Sequence, residues 1–527
     1  MNEMARKQRG WLNGALIALA VLGALARVFT LDDAFISFRY AENFANGHGL
    51  VFNPGERVEG YTNFLWVLLL SPFARLEADL VLVSSVLGIG FFTGSLLLVA
   101  SVSEHQRRLR EGSEASPLAG RLPSLALVGC ACNSTFLSFA TGGLETSLFT
   151  FLGLLALLLL NRAWTTPDPR TVALFALTGV ALAMTRPDGI LIFALFGCSL
   201  LLAVRRALGT WRPVLLLGGI VLSTWLPYFL WRWNYYGWPF PNTFYAKNAS
   251  DWQFERGVLY LQAFLASYPY VCVAIPLVVL SLVPRLRERF LPGLREQSGR
   301  PLFWTLALTV GLFMFYVAKV GGDFMEYRFM APLLPMIFLL LELGVGATRV
   351  PTPWVLVLGA AYSLTFVFHR PVLAPEPLME PVDGLAMHIE FQGWDEQGRR
   401  LRRLLPPGTV IATTAAGAIP YYAKLPTIDM LGLTDEFIAH LPMPCTSEVT
   451  IGHCKFAPES YLRERKVNLI IEPVGPPLSF SRSQPQEPEE VLIRFEGDIA
   501  MSARYLTRTA ELDALFASNP DVKWGQR

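Results

Sequence analysis

Long apolar blocks separated by short polar stretches fill the first two thirds of the chain. A bilayer core takes about 20 consecutive apolar residues per helix, so blocks of this kind predict membrane-crossing helices. A first helix is expected from about Trp11 to Val28. Further spans are expected near Leu80–Ala100, Leu122–Ala140, Leu144–Leu160, Thr171–Met184, Ile190–Val204 and Val214–Trp231. The last four fall near Tyr268–Val283, Leu302–Val317, Met330–Gly346 and Trp354–Phe368. The pattern thus predicts about eleven transmembrane helices in residues 1–368. The stretch Tyr61–Leu76 is apolar but short and holds Pro72. It is expected to be a re-entrant or interfacial helix in an outer loop covering roughly residues 30–76.

Basic clusters orient these spans. Arg6, Lys7 and Arg9 precede the first block. Arg107/Arg108/Arg110/Arg121, Arg162/Arg170, Arg205/Arg206/Arg212 and the run from Arg285 to Arg300 fall in alternate loops, with Arg349 in the last. Cations collect on the cytoplasmic side, so the N-terminus is expected inside and the residues after 368 outside. A cleaved signal peptide ending near Ala24-Leu25-Ala26 is the rival reading of the first block.

From about His369 the chain turns polar. A helix around Glu396–Leu405, strands at Val410–Thr414, Thr427–Leu431 and Val467–Ile471, and a short helix at Gly417–Ala423 predict a small extracytoplasmic α/β domain over residues 369–527. Gln484–Glu490 reads as a Pro/Glu-rich loop.

Composition agrees with a membrane protein: 53% of the 527 residues are hydrophobic and 16% charged, where soluble chains carry about 25% charged residues. A net charge of +2, with its cations in topological clusters, points to no nucleic-acid partner. Cys130, Cys132, Cys198 and Cys272 lie in apolar segments and read as small packing residues. Cys445 and Cys454 lie close together in the exported tail, where a disulfide is expected. A metal pair with His453 is the weaker reading, because no second ligand pair follows.

The candidate chemistry sits where helices emerge on the outer side. Asp32 and Asp33 follow the first helix, with Arg39 and Asn53 beyond them. Thr141–Thr146, Arg186-Pro187-Asp188-Gly189, Trp238–Lys247 and Gly321–Phe329 complete the set. Ionisable groups at that depth usually line a cavity or pathway. Asp32 or Asp33 can serve as a general base for an attacking hydroxyl, with Asp32 preferred. Arg186, Lys247 and Arg328 can hold a phosphate leaving group. Plainer readings stand beside these. The Asp pair could cap the next helix, Arg186 could snorkel, Asn242 could shape a turn, and Gly321-Gly322 could be a hinge.

The ordered set Asp32-Asp33, Ile36-Ser37-Phe38-Arg39, Asn53 and Pro239-Phe240-Pro241-Asn242-Thr243-Phe244-Tyr245-Ala246-Lys247 resembles bacterial GT-C membrane glycosyltransferases. The likeness is greatest to the mycobacterial terminal β-(1→2)-arabinofuranosyltransferases, and Gly321-Gly322-Asp323-Phe324 and Asp429–Asp435 fit the same pattern. The resemblance implies a polyprenyl-phosphate sugar donor, an inverting single displacement with Asp32 or Asp33 as base, and a glycan or glycolipid acceptor at an extracytoplasmic site. Arg39, Arg186, Asn242, Tyr245, Lys247, Asp323 and Arg328 are the expected substrate-binding residues. No cofactor is predicted, and metal dependence is left open. A transporter or flippase of lipid-linked glycans is the alternative. It would place charges near the midplane of broken helices, whereas here they stand at helix ends.

Overall fold

The computed structural model describes residues 3–109, 122–165, 168–208, 211–290, 301–346, 393–445, 453–471, 489–494 and 500–524. Helix α1 (Glu3–Leu25) leads to a shorter α2 (Asp32–Ala45), then α3 (Phe64–Arg75) and α4 (Leu80–Leu109). The broken pair α5 (Leu125–Ala131) and α6 (Ser134–Ser138) precedes α7 (Thr146–Thr165), α8 (Pro169–Thr185), α9 (Gly189–Leu208) and α10 (Arg212–Tyr236). After α11 (Asn242–Ala246) come α12 (Phe254–Ser267), α13 (Ala274–Leu282), α14 (Pro284–Phe290) and helices Pro301–Val320 and Leu334–Val345.

The chain is a polytopic helical membrane protein, but its spans are less uniform than the apolar blocks predict. Among the described residues, Leu80–Arg108, Thr146–Trp164, Arg212–Tyr236 and Pro301–Val320 are long and apolar enough to cross a bilayer. The block Leu122–Ala140 is split at Asn133, whose side chain accepts from the Phe136 amide (2.9 Å) and starts α6 afresh. Tyr268–Val283 is the second arm of a pair bent by 98°. At 12 residues, α3 is short of a crossing. The expected span Trp354–Phe368 lies outside the described residues.

Local chemistry sets the ends of these helices. Asp168 caps α8 by accepting from the Arg170 and Thr171 amides (2.9 and 3.0 Å), with Pro169 at the first helical position. At its other end Pro187 forces Arg186 into extended backbone (φ −154°), and the helix stops there. Gly237, left-handed at φ 81°, ends α10. Helix α7 is the centre of the bundle, packed by α4, α8 and α9. By contrast, α10 turns Leu215, Leu222 and Leu230 outward, as a lipid-facing helix does.

The C-terminal segment forms a six-stranded sheet in the order β2-β1-β3-β5-β4-β6. Strands β1 (Ile411–Thr413), β2 (Thr427–Asp429) and β3 (Leu469–Ile471) are parallel. Strands β4 (Glu490–Arg494), β5 (Ala500–Tyr505) and β6 (Val522–Trp524) extend the sheet antiparallel. The first three strands fall within the stretches expected from sequence. The last three went unread, being short and close to Pro- and Glu-rich sequence.

This sheet segment is joined to the helices by buried polar clamps. Arg39 of α2 donates to the carbonyls of Phe52 (2.8 Å), Pro420 (2.7 Å) and Leu425 (2.8 Å) and to Asn53 Oδ1 (3.0 Å). Asn242 Nδ2 donates to the carbonyls of Gly432, Leu433 and Asp435 (2.8, 3.0 and 3.1 Å). Asp32 accepts from the Gly417 and Ala418 amides (3.1 and 2.7 Å). A side chain on Gly417 would collide with Asp32, so only glycine permits that approach.

Candidate active site

A cavity of about 270 Å³ lies where helix ends meet the sheet segment. Asp33 enters it from the first turn of α2, Glu145 from just before α7, and Arg186 and Asp188 from the α8–α9 turn. Lys247 comes from the end of α11, and Asp323 and Arg328 from the loop after Pro301–Val320. The basic ends of α4 and α7, at Arg107, Arg108 and Arg162, are the opposite ends of their helices from those nearest this cavity.

The charges form two coupled groups. Arg186 grips Asp188 in a bidentate pair (Nε–Oδ1 3.0 Å, Nη2–Oδ2 2.8 Å) and stands 3.7 Å from Glu145. Asn63 donates to Glu145 (2.8 Å) and pairs with Ser37 of α2. In the second group Arg328 binds both oxygens of Asp323 and lies 3.3 Å from Asp33 Oδ2. Burial opposes the charge of Arg186, but Asp188 and Glu145 outweigh it and raise its pKa. Asp323 and Asp33 do the same for Arg328. These two guanidiniums are therefore fixed cations.

Lys247 differs. Among the described residues no side-chain hydrogen bond or ion pair engages its ammonium, which borders the cavity. Burial holds its pKa below the ordinary lysine value, with Asp323 and Asp33 opposing and Arg328 and Arg186 adding to the shift. Asp33 is also open: Oδ2 faces Arg328, Oδ1 takes no hydrogen bond among the described residues, and the side chain is 26% exposed. An open carboxylate and an unengaged ammonium thus share one small cavity.

Tight glycine turns shape this loop. Gly321 and Gly322 have φ of +90° and +79°, and a Cβ on them would meet Gln253 at 2.8 Å and the Tyr260 ring at 2.5 Å. The pair is required by conformation and by close packing, and it sets Asp323 opposite Asp33 across Arg328.

The structure brings Asp33, Arg186, Lys247, Asp323 and Arg328 together and leaves the other expected residues outside. Asp32 points away to the Gly417 and Ala418 amides, so the geometry reverses the preference for Asp32 over Asp33. Arg39 and Asn242 are occupied as clamps and do not line the cavity. Tyr245 packs on Trp238 and His440 beyond its wall. Glu145, Asp188 and Asn63 were not among the expected site residues, although each lies within or beside a conspicuous motif. No group of three or more His, Cys, Asp or Glu side chains is arranged for a metal among the described residues. Cys445 and Cys454 are joined, with Cα atoms 4.7 Å apart.

Residues 385–512 match a family model described as a domain of unknown function, DUF8728. The chain is 32% identical over 373 residues to a terminal beta-(1->2)-arabinofuranosyltransferase of Mycobacterium tuberculosis, covering 65% of this chain and 56% of that protein. It is also 32% identical over 351 residues to the enzyme of the same name from Corynebacterium glutamicum, covering 60% and 48%. The chain is thus similar in sequence to two terminal arabinofuranosyltransferases. It spans about half the length of the curated relatives it matches. The crystal structure of ArnT from Cupriavidus metallidurans in the apo state superposes with a TM-score of 0.52 at 14% identity, over 94% of this chain and 97% of that one. The chain therefore shares the overall fold of that protein.

Proposed function

We propose that this chain transfers a sugar from a polyprenyl-phosphate donor to a glycan or glycolipid acceptor on the outer side of the membrane. The reading places the N-terminus in the cytoplasm and the sheet domain outside. The observation that carries it is the cavity itself, which open Asp33 and unengaged Lys247 line together with the paired guanidiniums of Arg186 and Arg328. Asp33 takes the proton of the acceptor hydroxyl while that oxygen bonds to the anomeric carbon. The bond from that carbon to the phosphate oxygen breaks, and its electron pair leaves with the phosphate. Lys247 and Arg328 stabilise the charge that develops there. One displacement inverts the anomeric centre. Asp323 keeps Arg328 in place, and Glu145 and Asp188 keep Arg186 in place. The arabinofuranosyl group is the donor sugar favoured by the relatives' names.

The test is transfer from a radiolabelled polyprenyl-phosphate arabinofuranose to an arabinan acceptor by the protein in lipid nanodiscs. Labelled glycan should form with wild type and be lost with D33N. Absence of transfer from every polyprenyl-phosphate sugar tried, by folded wild-type protein, would sink the reading.

A further inference from the structure

A second concavity of about 750 Å³ is lined in part by segments that also wall the active-site cavity. Its lining differs in kind. Phe437 is 49% exposed and stacked on Tyr461 (centroids 4.2 Å, planes 18° apart). Trp238 is 38% exposed, stacks on His440 (4.2 Å) and donates its indole N–H to Glu436 (3.0 Å). Around these rings stand the Arg465–Glu56 and Arg465–Asp435 ion pairs. The Nε2 of His440 has no hydrogen-bond partner among the described residues.

The groove and the cavity are adjacent along the chain. Val58, Trp238 and Asp435 line the groove, while Gly60, Phe240 and Leu433 line the cavity. In each of these three segments a single residue separates one lining from the other, a span of at most ~7 Å. The Asn242 clamp to the Gly432, Leu433 and Asp435 carbonyls fixes two of those segments to each other.

We propose that this groove is an acceptor subsite that binds the glycan chain preceding the residue at which transfer occurs. Exposed ring faces suit the C–H faces of sugars, and carboxylates with a guanidinium suit their vicinal hydroxyls. The lining carries three carboxylates, Glu56, Asp435 and Glu436, against two guanidiniums, Arg57 and Arg465, and Arg465 is already paired with Glu56 and Asp435, which favours a neutral polyhydroxylated ligand over an anion. The short separation puts one end of such a chain at Asp33 while its earlier units lie along Trp238 and Phe437. This inference rests on the proposed transferase reading and extends it to acceptor length.

The experiment uses the full chain in nanodiscs without donor and measures binding of a linear arabinofuranose disaccharide and octasaccharide by calorimetry. The octasaccharide should bind more tightly, and W238A and F437A should each weaken it about tenfold. W238F, which keeps a ring face, should retain most of the affinity and guards against misfolding of W238A. In transfer assays the same variants should raise KM for the octasaccharide and leave kcat and disaccharide transfer unchanged. Failure of the octasaccharide to bind, equal affinity for both glycans, or unchanged octasaccharide affinity in W238A and F437A overturns the proposal. Ring-dependent binding by a wild-type protein that transfers nothing would uphold the groove and sink the transferase reading instead.

Discussion

Asp32 and Asp33, adjacent in sequence, serve opposite partners: Asp32 accepts two amides of the sheet segment, and Asp33 faces Arg328 across the cavity. Successive residues in the first turn of a helix point about 100° apart, so the pair cannot share one role. D33N keeps the side-chain volume and removes the base. It should lower kcat by about 10²–10⁴-fold with little change in melting temperature. D32N should act the other way, with a loosened sheet segment and a lower melting temperature. Wild-type turnover in D33N would mean that another carboxylate, such as Asp323, takes the proton.

The three cavity cations should separate in their effects on stability. Lys247 has no side-chain partner among the described residues, so K247A should reduce turnover while the melting temperature stays near wild type. R186A leaves Asp188 and Glu145 as uncompensated buried carboxylates, a loss of about 3–5 kcal/mol. R328A does the same to Asp323. Paired measurements of melting and turnover check this, and a K247A protein with full activity would remove Lys247 from the phosphate site.

Convergence of the outer motifs was legible in the sequence because ionisable residues at the edges of apolar blocks are costly and stand out. Arg186, Lys247, Asp323 and Arg328 were found that way. Their partners were not, since a pair such as Asn63 and Glu145 lies 82 residues apart and no local pattern joins it. Arg39 and Asn242 misled for a related reason. A buried polar side chain satisfied by distant carbonyls looks in sequence like one that awaits a substrate. Hydropathy also could not reveal the break at Asn133 or the 98° bend before Pro269, because both halves are apolar.

Stability should fall with pH through the sheet segment. Burial raises the pKa of Asp429 from 3.8 to about 6, although the Thr434 and Leu431 amides work against it. The folded state therefore binds this proton more tightly than the unfolded chain does. The stabilisation is fully present below pH 3.8 and is lost as pH rises through about 6. The change amounts to about 3 kcal/mol at most. Thermal melts should slope downward between about pH 4 and 6 and level off above, and D429N should flatten that slope even if it is less stable throughout. An unchanged slope in D429N would assign the pH dependence elsewhere.

The Cys445–Cys454 link closes a loop with a sequence separation of 9. For so short a loop the chain-entropy contribution is about 2–3 kcal/mol. Unreduced peptide mapping should recover the linked pair, and reduction should lower the melting temperature without abolishing transfer. Two freely alkylated thiols in the mature protein would refute the pairing.

Arg39 offers the sharpest separation between a clamp and a ligand. Its guanidinium holds the carbonyls of Pro420 and Leu425, more than 380 residues away in sequence, against α2. It also holds the Phe52 carbonyl and lies 4.3 Å above the Phe52 ring. R39M fills much of the same volume but removes the guanidinium's hydrogen bonds, each worth about 0.5–1.5 kcal/mol, and leaves the Phe52, Pro420 and Leu425 carbonyls only Asn43, the Lys424 amide and the Thr427 hydroxyl as donors. N242A should behave alike, because it frees the carbonyls of Gly432, Leu433 and Asp435. Both variants should therefore lower the melting temperature and expose the sheet segment to limited proteolysis. Their activity should fall in parallel with the folded fraction, since displacement of the sheet segment moves Leu433 from the cavity wall. Activity per folded molecule should stay near wild type, unlike D33N, in which it collapses. If R39M melted like wild type and lost turnover alone, its guanidinium would be a substrate ligand and the clamp assignment would fail.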